Sequence, residues 1–317
     1  MTTHPKPGIA RGFAKLVTAA LLCAGVQLTV TTAAEAAQNG GNTQDKIWKD
    51  IGASERIDLS GRLHMLSQRI AASACAMEAG VEETISRGIL MGSADEVDRI
   101  MNALENGNPL MKIIGSESNS RIKANIDRIN QQWLPVRSTI DALDKKGYEN
   151  ANMAIFEAWN IPYYEDANIL VSEIAAEYSN PADLLQRDAI LVDLAGRQRM
   201  RTQMMLKQAC EIWKGKDASA DLLETIGLFD RTHSALLNGA PGVGINAAPT
   251  PELKAALDGM SGDWEIIKVM LTGIASGANV DKGTKTALYL SLNEALIQSH
   301  GIVGQYAKYA KQANNAF

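Results

Sequence analysis

The chain has 317 residues, of which 46% are hydrophobic and 21% charged, and its net charge is -5. This composition is typical of a folded protein with a buried core, and the length allows one large or two ordinary domains. With no polybasic block and a negative net charge, a nucleic-acid-binding surface is not expected. Aromatic residues make up only 5% of the chain, while alanine, leucine, isoleucine and methionine are frequent, which favours helix over sheet.

Residues 1–37 have the pattern of a secretory signal. Three basic residues precede a mostly apolar stretch at 16–30, and Ala34–Ala36 has the Ala-x-Ala form of a cleavage site. The apolar stretch is shorter than the roughly 20 residues that a membrane span needs, so we favour cleavage over an uncleaved anchor. No later stretch is long and apolar enough to cross a membrane, and we expect a soluble periplasmic protein.

Eight amphipathic helices are predicted from apolar residues at three- and four-residue spacings, separated by segments rich in glycine, asparagine and proline. In chain order they span residues 44–77, 82–104, 118–146, 149–178, 182–214, 218–237, 251–276 and 282–313. Pro135 and Pro162 fall inside two of them and predict a kink or a division there. No β-strand is predicted. Short connections between helices of this length indicate an all-α protein built from antiparallel four-helix bundles.

The first and fifth predicted helices contain the same motif. Residues 58–77 are DLSGRLHMLSQRIAASACAM, and residues 193–212 are DLAGRQRMRTQMMLKQACEI. The chain is therefore a duplication, and a second match between residues 103–109 and 235–241 shows that the repeat extends beyond the motif. The identical motif positions are Asp58/Asp193, Leu59/Leu194, Gly61/Gly196, Arg62/Arg197, Met65/Met200, Gln68/Gln203, Ala74/Ala209 and Cys75/Cys210.

We predict two tandem four-helix modules, residues 38–179 and 180–317, related by a pseudo-twofold axis. Such an axis would bring equivalent positions of the two motif helices face to face. Cys75 and Cys210, the two cysteines that remain after signal cleavage, occupy equivalent positions. A disulfide between them is one expectation in an oxidising compartment. Two buried free thiols that pack as small hydrophobic side chains are the alternative.

Enzyme motifs are missing from the sequence, which has no HExxH, CxxC, GxSxG or P-loop pattern. His64, His233 and His300 have no histidine or cysteine partner at helical spacing. No catalytic residue, metal site or cofactor is therefore predicted, and the chemistry is expected to lie in the motif helices.

Each motif helix carries an arginine beside a mid-helix glycine. A glycine there costs about 1 kcal/mol relative to alanine, and close approach of another helix at Gly61 and Gly196 would explain it. A cleft lined by Arg62 and Arg197 would suit a planar anion, because guanidinium groups offer forked hydrogen-bond donors. Alternatively, these arginines are solvated or paired with the aspartates that begin each motif. Further polar side chains at the motif are His64, Gln68, Arg199 and Gln203.

The motif also resembles a known family. Residues 194–200 (LAGRQRM) and 59–69 (LSGRLHMLSQR) are similar to the LAGRQRMLSQR signature of the PilJ-like domain, the N-terminal domain of type IV pilus methyl-accepting chemotaxis transducers. They are similar, more distantly, to the periplasmic sensor domain of the nitrate-sensing kinases NarX and NarQ. The resemblance covers nearly all of the mature chain as two tandem copies, and it implies helical sensor bundles.

In the nitrate sensors of this family, the anion lies where the two motif helices of a dimer meet, and the arginine immediately before the motif methionine contacts it. That position corresponds to Arg199 in the second copy and to His64 in the first. A histidine is fully charged only below its pKa of about 6.5, so the resemblance implies an asymmetric site. The first copy keeps Arg69, where the second has Met204. We expect the two copies to imitate a family dimer within one chain.

The expected function is that of an exported, non-enzymatic sensor or binding protein that holds a small oxyanion, nitrate or nitrite first, between the motif helices. Family transducers continue into a transmembrane helix and a cytoplasmic module, which do not follow the second copy here, so we expect a membrane receptor or pilus component as partner. The alternative is a structural or adaptor protein of the cell envelope or type IV pilus system without a small-molecule ligand. The expected donors are Arg199, Arg197 and Arg62, followed by His64, Gln68 and Gln203.

Overall fold

The structure, a computed structural model, describes residues 43–146, 153–178 and 186–314. These ranges contain eight α-helices and no β-strand, which confirms the predicted all-α class and its two helical modules. The signal sequence predicted at residues 1–37 and the module boundary predicted at 179/180 lie outside the described residues. The helices are α1 (Thr43–Glu78), α2 (Glu83–Asn106), α3 (Ser120–Lys146), α4 (Ala154–Tyr178), α5 (Gln186–Trp213), α6 (Ser219–Asn238), α7 (Pro251–Ala275) and α8 (Lys282–Asn314).

Neither internal proline divides its helix. Pro135 lies inside α3 and Pro162 inside α4, and both helices continue through the proline. Of the kink or division predicted there, the division is not found, because the neighbouring turns bury large side chains such as Trp133 and Tyr163. Burial of these faces outweighs the one backbone hydrogen bond that each proline removes.

The two modules repeat their internal contacts. In the first, the Trp133 indole Nε1 on α3 donates to the Asp98 carboxylate on α2 at 2.6 Å. In the second, the Trp264 indole Nε1 on α7 donates to the Asp230 carboxylate on α6 at 3.0 Å. The duplicated sequence therefore folds into duplicated helix pairs.

The turn after the second helix of each module requires glycine. Gly107 follows α2 and Gly239 follows α6, with positive φ values of 80° and 81°. A Cβ at Gly107 would lie 2.7 Å from the Gly115 carbonyl oxygen, and one at Gly239 would lie 2.9 Å from the Ala247 backbone nitrogen. Only glycine combines this left-handed conformation with so close a backbone contact, which explains the repeated Asn-Gly pair.

The helices enclose two hydrophobic cores, and each core contains a few residues from the other module. Helices α1–α4 supply most of the first core, and α5–α8 supply most of the second. Ala72 and Ala76 on α1 nevertheless belong to the second core, and Leu296 on α8 belongs to the first. From Gln44 onward the chain accordingly forms one compact unit.

Helices α1 and α5 lie side by side and run in the same direction. An ion pair joins Asp58 near the start of one motif to Arg199 in the other, and a second joins Glu78 to Lys214 near the helix ends. Between these, Cys75 and Cys210 form a disulfide whose Cα atoms are 6.1 Å apart. The disulfide thus joins one pair of equivalent positions, as expected for copies related by a pseudo-twofold axis. No helix in the described ranges has the length and hydrophobicity needed to cross a bilayer.

Candidate functional site

The motif glycines do not mark a close approach of backbones. A Cβ at Gly61 would meet no heavy atom within 4 Å, and one at Gly196 would meet only the Arg199 guanidinium, at 3.6 Å. The close backbone contact predicted at these two positions is therefore not found. Helices α1 and α5 are instead bridged by side chains, and Gly196 leaves room for the guanidinium that begins one turn later.

Arg199 lies buried between the two motif helices, with a residue exposure of 4%. Its Nη2 donates to the Asp58 carboxylate at 3.0 Å, and its Nη1 lies 3.3 Å from Nδ1 of His300 on α8. Its Nε is buried and has no hydrogen-bond partner among the described residues. Arg199 thus connects α1, α5 and α8 and keeps one donor unused.

Arg62 is the second guanidinium of this region. It pairs with the Glu96 carboxylate on α2, and its Nε is buried without a partner among the described residues. Burial lowers the pKa of Arg62, Arg199 and Arg99 lower it further, and Asp58 opposes them. Arg62 therefore lies close to other arginines as well as to the carboxylates of Asp58 and Glu96.

We call Asp58, Arg62, Glu96, Arg199 and His300 the Arg199 cluster. Burial lowers the pKa of His300 below its usual 6.5, and the neighbouring charges of Arg199 and Arg62 lower it again, while Asp58 raises it. His300 is therefore held neutral near pH 7. A neutral imidazole can accept a hydrogen bond from Arg199 through Nδ1, which fixes the guanidinium without adding a charge.

The motif position equivalent to Arg199 is His64, which begins a different cluster. His64 contacts Tyr164 on α4, with ring centroids 5.2 Å apart, and its Nε2 is buried without a partner in the described ranges. Nearby, Arg197 pairs with Asp193 on its own helix at 2.8 Å, and both side chains are about half exposed. We call His64, Tyr164, Asp193 and Arg197 the His64 cluster.

The two clusters occupy equivalent places in the two modules. Arg199 contacts His300 on the last helix of its own module, and His64 contacts Tyr164 on the last helix of its own module. Arg199 also pairs with Asp58, the aspartate that begins the opposite motif. In the same way, the charge of the corresponding Asp193 acts on His64 and raises its pKa. The predicted donors Arg199 and Arg62 are thus brought together, whereas Arg197 lies in the other cluster with His64.

The predicted glutamine donors are buried and make local contacts. Gln68 Nε2 donates to the Ser67 hydroxyl at 3.2 Å, and its Oε1 has no partner in the described part of the chain. Gln203 Nε2 lies 3.4 Å from both the Thr202 hydroxyl and the Leu292 carbonyl oxygen. The Gln68 contact stays within α1, the Gln203 contact reaches α8, and neither involves a motif arginine.

Sequence reasoning missed His300 and Tyr164 as members of the site. Neither has a motif of its own, and each lies on the fourth helix of its module, far along the chain from the residue it contacts. Only the structure shows their equivalence, because the buried positions on α4 and α8 match when the two helices are aligned with Tyr164 opposite His300. No group of three or more potential metal ligands occurs in the described ranges.

A family model described as the N-terminal domain of type IV pili methyl-accepting chemotaxis transducers, PilJ, matches the chain twice, at residues 47–153 and 183–290. The chain belongs to the PilJ family. This confirms the resemblance seen at the motif and its two tandem copies. A search of curated proteins finds no match. Both PilJ segments include a motif helix, but Tyr164 and His300 lie beyond their ends.

The low pKa of His64 predicts that the folded chain becomes less stable as the pH falls. Burial is the main cause that lowers this pKa from 6.5 to about 4, and Arg197 adds to it, while Asp193 and a backbone hydrogen bond with Ala167 oppose it. Between these values the unfolded chain binds a proton that the folded chain does not, so stability is lost as pH falls below 6.5. Each pKa unit is worth about 1.4 kcal/mol, so the loss at pH 5 should be about 2 kcal/mol.

This expectation is tested by urea unfolding of the wild-type chain and of His64→Gln at pH 7, 6 and 5. His233 and His300 are present in both proteins, so their contributions cancel in the difference. We expect the variant to lose about 2 kcal/mol less between pH 7 and pH 5. Parallel pH profiles would show that His64 titrates normally in the folded chain.

Proposed function

We propose that this PilJ-family protein is an exported sensor that binds a small oxyanion, nitrate or nitrite first, at the Arg199 cluster. It would present the liganded state to a membrane receptor or pilus component from the periplasm. The family supports a sensor-type role, since its model describes the N-terminal domain of chemotaxis transducers. The proposal goes further by assigning a ligand class and a site.

The observation that carries the proposal is the setting of Arg199. Its guanidinium is buried between helices of both modules, and its Nε has no partner among the described residues. A buried charge is normally paired and fully hydrogen-bonded, because burial without compensation is costly. Asp58 satisfies only one edge of Arg199, and the Asp58 side chain is itself 44% exposed. A small anion could therefore compete with Asp58 for this guanidinium.

Arg62 strengthens the case for an anion. Burial lowers its pKa, Asp58 raises it, and two neighbouring arginines lower it again, so a small anion at this place would interact favourably with more than one guanidinium group. Two nearby guanidinium groups also offer donors in planar forks, which match the geometry of a planar oxyanion. The His64 cluster is a weaker candidate, because His64 is neutral near pH 7 and Arg197 is half exposed and paired.

The test is calorimetry with nitrate, nitrite, sulfate and chloride. We expect the wild-type chain to bind nitrate or nitrite at millimolar concentration or below, and Arg199→Ala to weaken binding at least tenfold. That factor corresponds to the loss of about 1.4 kcal/mol, at the low end for a hydrogen bond to a charged group. Arg121→Ala removes an exposed arginine on α3 and serves as the charge-matched control.

Two results would overturn the assignment. One is the lack of binding by the wild-type chain for every anion at millimolar concentration. The other is an unchanged affinity in Arg199→Ala, which would move the ligand away from this cluster.

A second candidate function is that of an envelope or pilus adaptor without a small-molecule ligand. The observation in its favour is a pair of exposed aliphatic side chains one turn apart on α7, Ile266 at 65% and Val269 at 72%. Exposed apolar surface of this kind is found at protein interfaces when it is extensive. The adaptor predicts that no anion binds and that Arg199→Ala has no effect on function, so the same calorimetry separates the two candidates.

A further inference from the structure

A cavity of about 90 Å³ lies between α1, α4 and α5, beside the disulfide. This volume exceeds the roughly 30 Å³ that one water molecule occupies in the liquid, so a small molecule fits inside. Three of the lining side chains, Glu78, Glu157 and Ile161, are exposed and mark its opening to solvent. The deeper wall includes Ala71, Ala74 and Cys75.

Cys75 and Cys210 differ in solvent accessibility although they occupy equivalent motif positions. Cys210 is completely buried, with 0% exposure. Cys75 is partly exposed and lines the cavity, which Cys210 does not. A molecule that enters the cavity therefore reaches the disulfide from the Cys75 side.

A lysine lies in the wall of this cavity. Lys207 Nζ is 3.1 Å from the Asn160 side-chain oxygen and 3.7 Å from the Glu211 carboxylate. Asn160 is buried and donates through Nδ2 to the Ser67 carbonyl oxygen at 2.9 Å, so it holds the ammonium in a fixed place. Lys207 lines the same cavity as Cys75, together with the carboxylates of Glu78, Glu157 and Glu211. Its ammonium is the lining group that favours an incoming thiolate and the thiolate that leaves.

The cavity wall has no equivalent on the other side of the pseudo-twofold axis. The first copy has Ala72 and Ala76 at the positions of Lys207 and Glu211, and both alanines are fully buried in the second core. The second face of the disulfide is therefore packed and apolar. The difference between the two copies thus leaves a polar route to one sulfur only.

We propose that this cavity is an access route by which a small thiol modifies Cys75. The thiolate attacks Sγ of Cys75, the S–S bond breaks, and Cys210 leaves as a thiolate that takes up the proton lost by the attacking thiol. The product is a mixed disulfide on Cys75. A second thiol then attacks the sulfur that came from the first, which releases the oxidised small molecule and leaves both cysteines reduced. Two thiols thus supply the two electrons.

This modification cuts the covalent link between the two motif helices. The disulfide joins α1 to α5 downstream of the Asp58–Arg199 ion pair. Its loss leaves the packing of α1 against α5 to noncovalent contacts alone. The reaction does not depend on whether an anion binds at the Arg199 cluster, so the two proposals can fail separately.

The experiment uses the folded chain and 2-mercaptoethanol as the small thiol. Samples are quenched with acid at intervals, and the peptides are mapped by mass spectrometry. We expect the mercaptoethanol adduct on Cys75 and none on Cys210. Lys207→Met should slow adduct formation several-fold, whereas Lys254→Met, which removes an exposed lysine on α7, should leave the rate unchanged.

A second variant, Ile161→Trp, keeps the proposal testable if Lys207→Met does not fold. Ile161 is 49% exposed at the opening, so Ile161→Trp should narrow the route without disturbing the core, and we expect slower modification of Cys75. An adduct on Cys210, equal adducts on both cysteines, or reaction only where urea unfolds the chain would overturn the proposal. An unchanged rate in Ile161→Trp and Lys207→Met together would also overturn it.

Discussion

Replacing Arg56 with methionine should lower the free energy of unfolding by about 3–5 kcal/mol. Arg56 is 3% exposed, and its guanidinium joins the end of α2 to the segment before α3. Nη1 donates to the Leu104 carbonyl oxygen at 2.9 Å, and Nη2 donates to the Gly115 carbonyl oxygen at 2.7 Å. The Glu117 carboxylate lies 3.4 Å from Nη1 and is itself 4% exposed. Removing Arg56 therefore leaves a buried carboxylate without its counter-charge.

Urea unfolding of the wild-type chain and the variant measures this effect. Arg87→Met is the matched control, because Arg87 pairs with Asp144 at an exposed site, where such a pair contributes at most about 1 kcal/mol. The double variant Arg56→Met/Glu117→Gln should recover part of the loss, since it removes the uncompensated charge. Equal losses in Arg56→Met and Arg87→Met would contradict the role assigned to burial.

Replacing Asp58 with asparagine should raise the affinity for nitrate or nitrite by about tenfold to a hundredfold. Asp58 accepts a hydrogen bond from Arg199 Nη2 at 3.0 Å and so competes with an anion for the same donor. A hydrogen bond to a charged group is worth about 1.5–3 kcal/mol, and each 1.4 kcal/mol is a factor of ten. Calorimetry with the full chain at pH 7 provides the measurement.

Asp193→Asn is the control for this prediction, because Asp193 is the equivalent residue of the other motif and pairs with the half-exposed Arg197. We expect little change in affinity from it. If Asp58→Asn weakened binding instead, Asp58 would be holding Arg199 in the binding geometry rather than competing for it. The prediction rests on the proposed anion site.

The helices and the duplication could be predicted because both are recorded locally in the sequence. Apolar spacing placed eight helices close to their observed bounds, and the Asn-Gly pairs at 106–107 and 238–239 correctly indicated helix ends. The repeat also brought out the equivalence of Cys75 and Cys210, which the structure joins. These features need no knowledge of how one helix is rotated against another.

The partners of Arg199 could not be predicted in the same way. Asp58 and His300 lie 141 and 101 residues away in the chain, and both contacts depend on the rotation of α1 and α8 about their axes. The close approach of backbones predicted from the motif glycines was wrong for a related reason. Gly61 and Gly196 indicated a feature of the helix surface, but only the packed structure shows that side chains, rather than backbones, bridge the helices there.

The two sides of the interface between the parallel helices α1 and α5 can carry different residues at equivalent positions. In a homodimer, one substitution appears on both sides of the axis, so a change that helps one side must be tolerated by the other. In this chain each side is encoded separately: Lys207 faces Asn160 where the other copy has a buried alanine, and Arg199 has His64 as its counterpart. Because both copies belong to one chain, the interface between α1 and α5 is asymmetric, and its two sides offer different side chains.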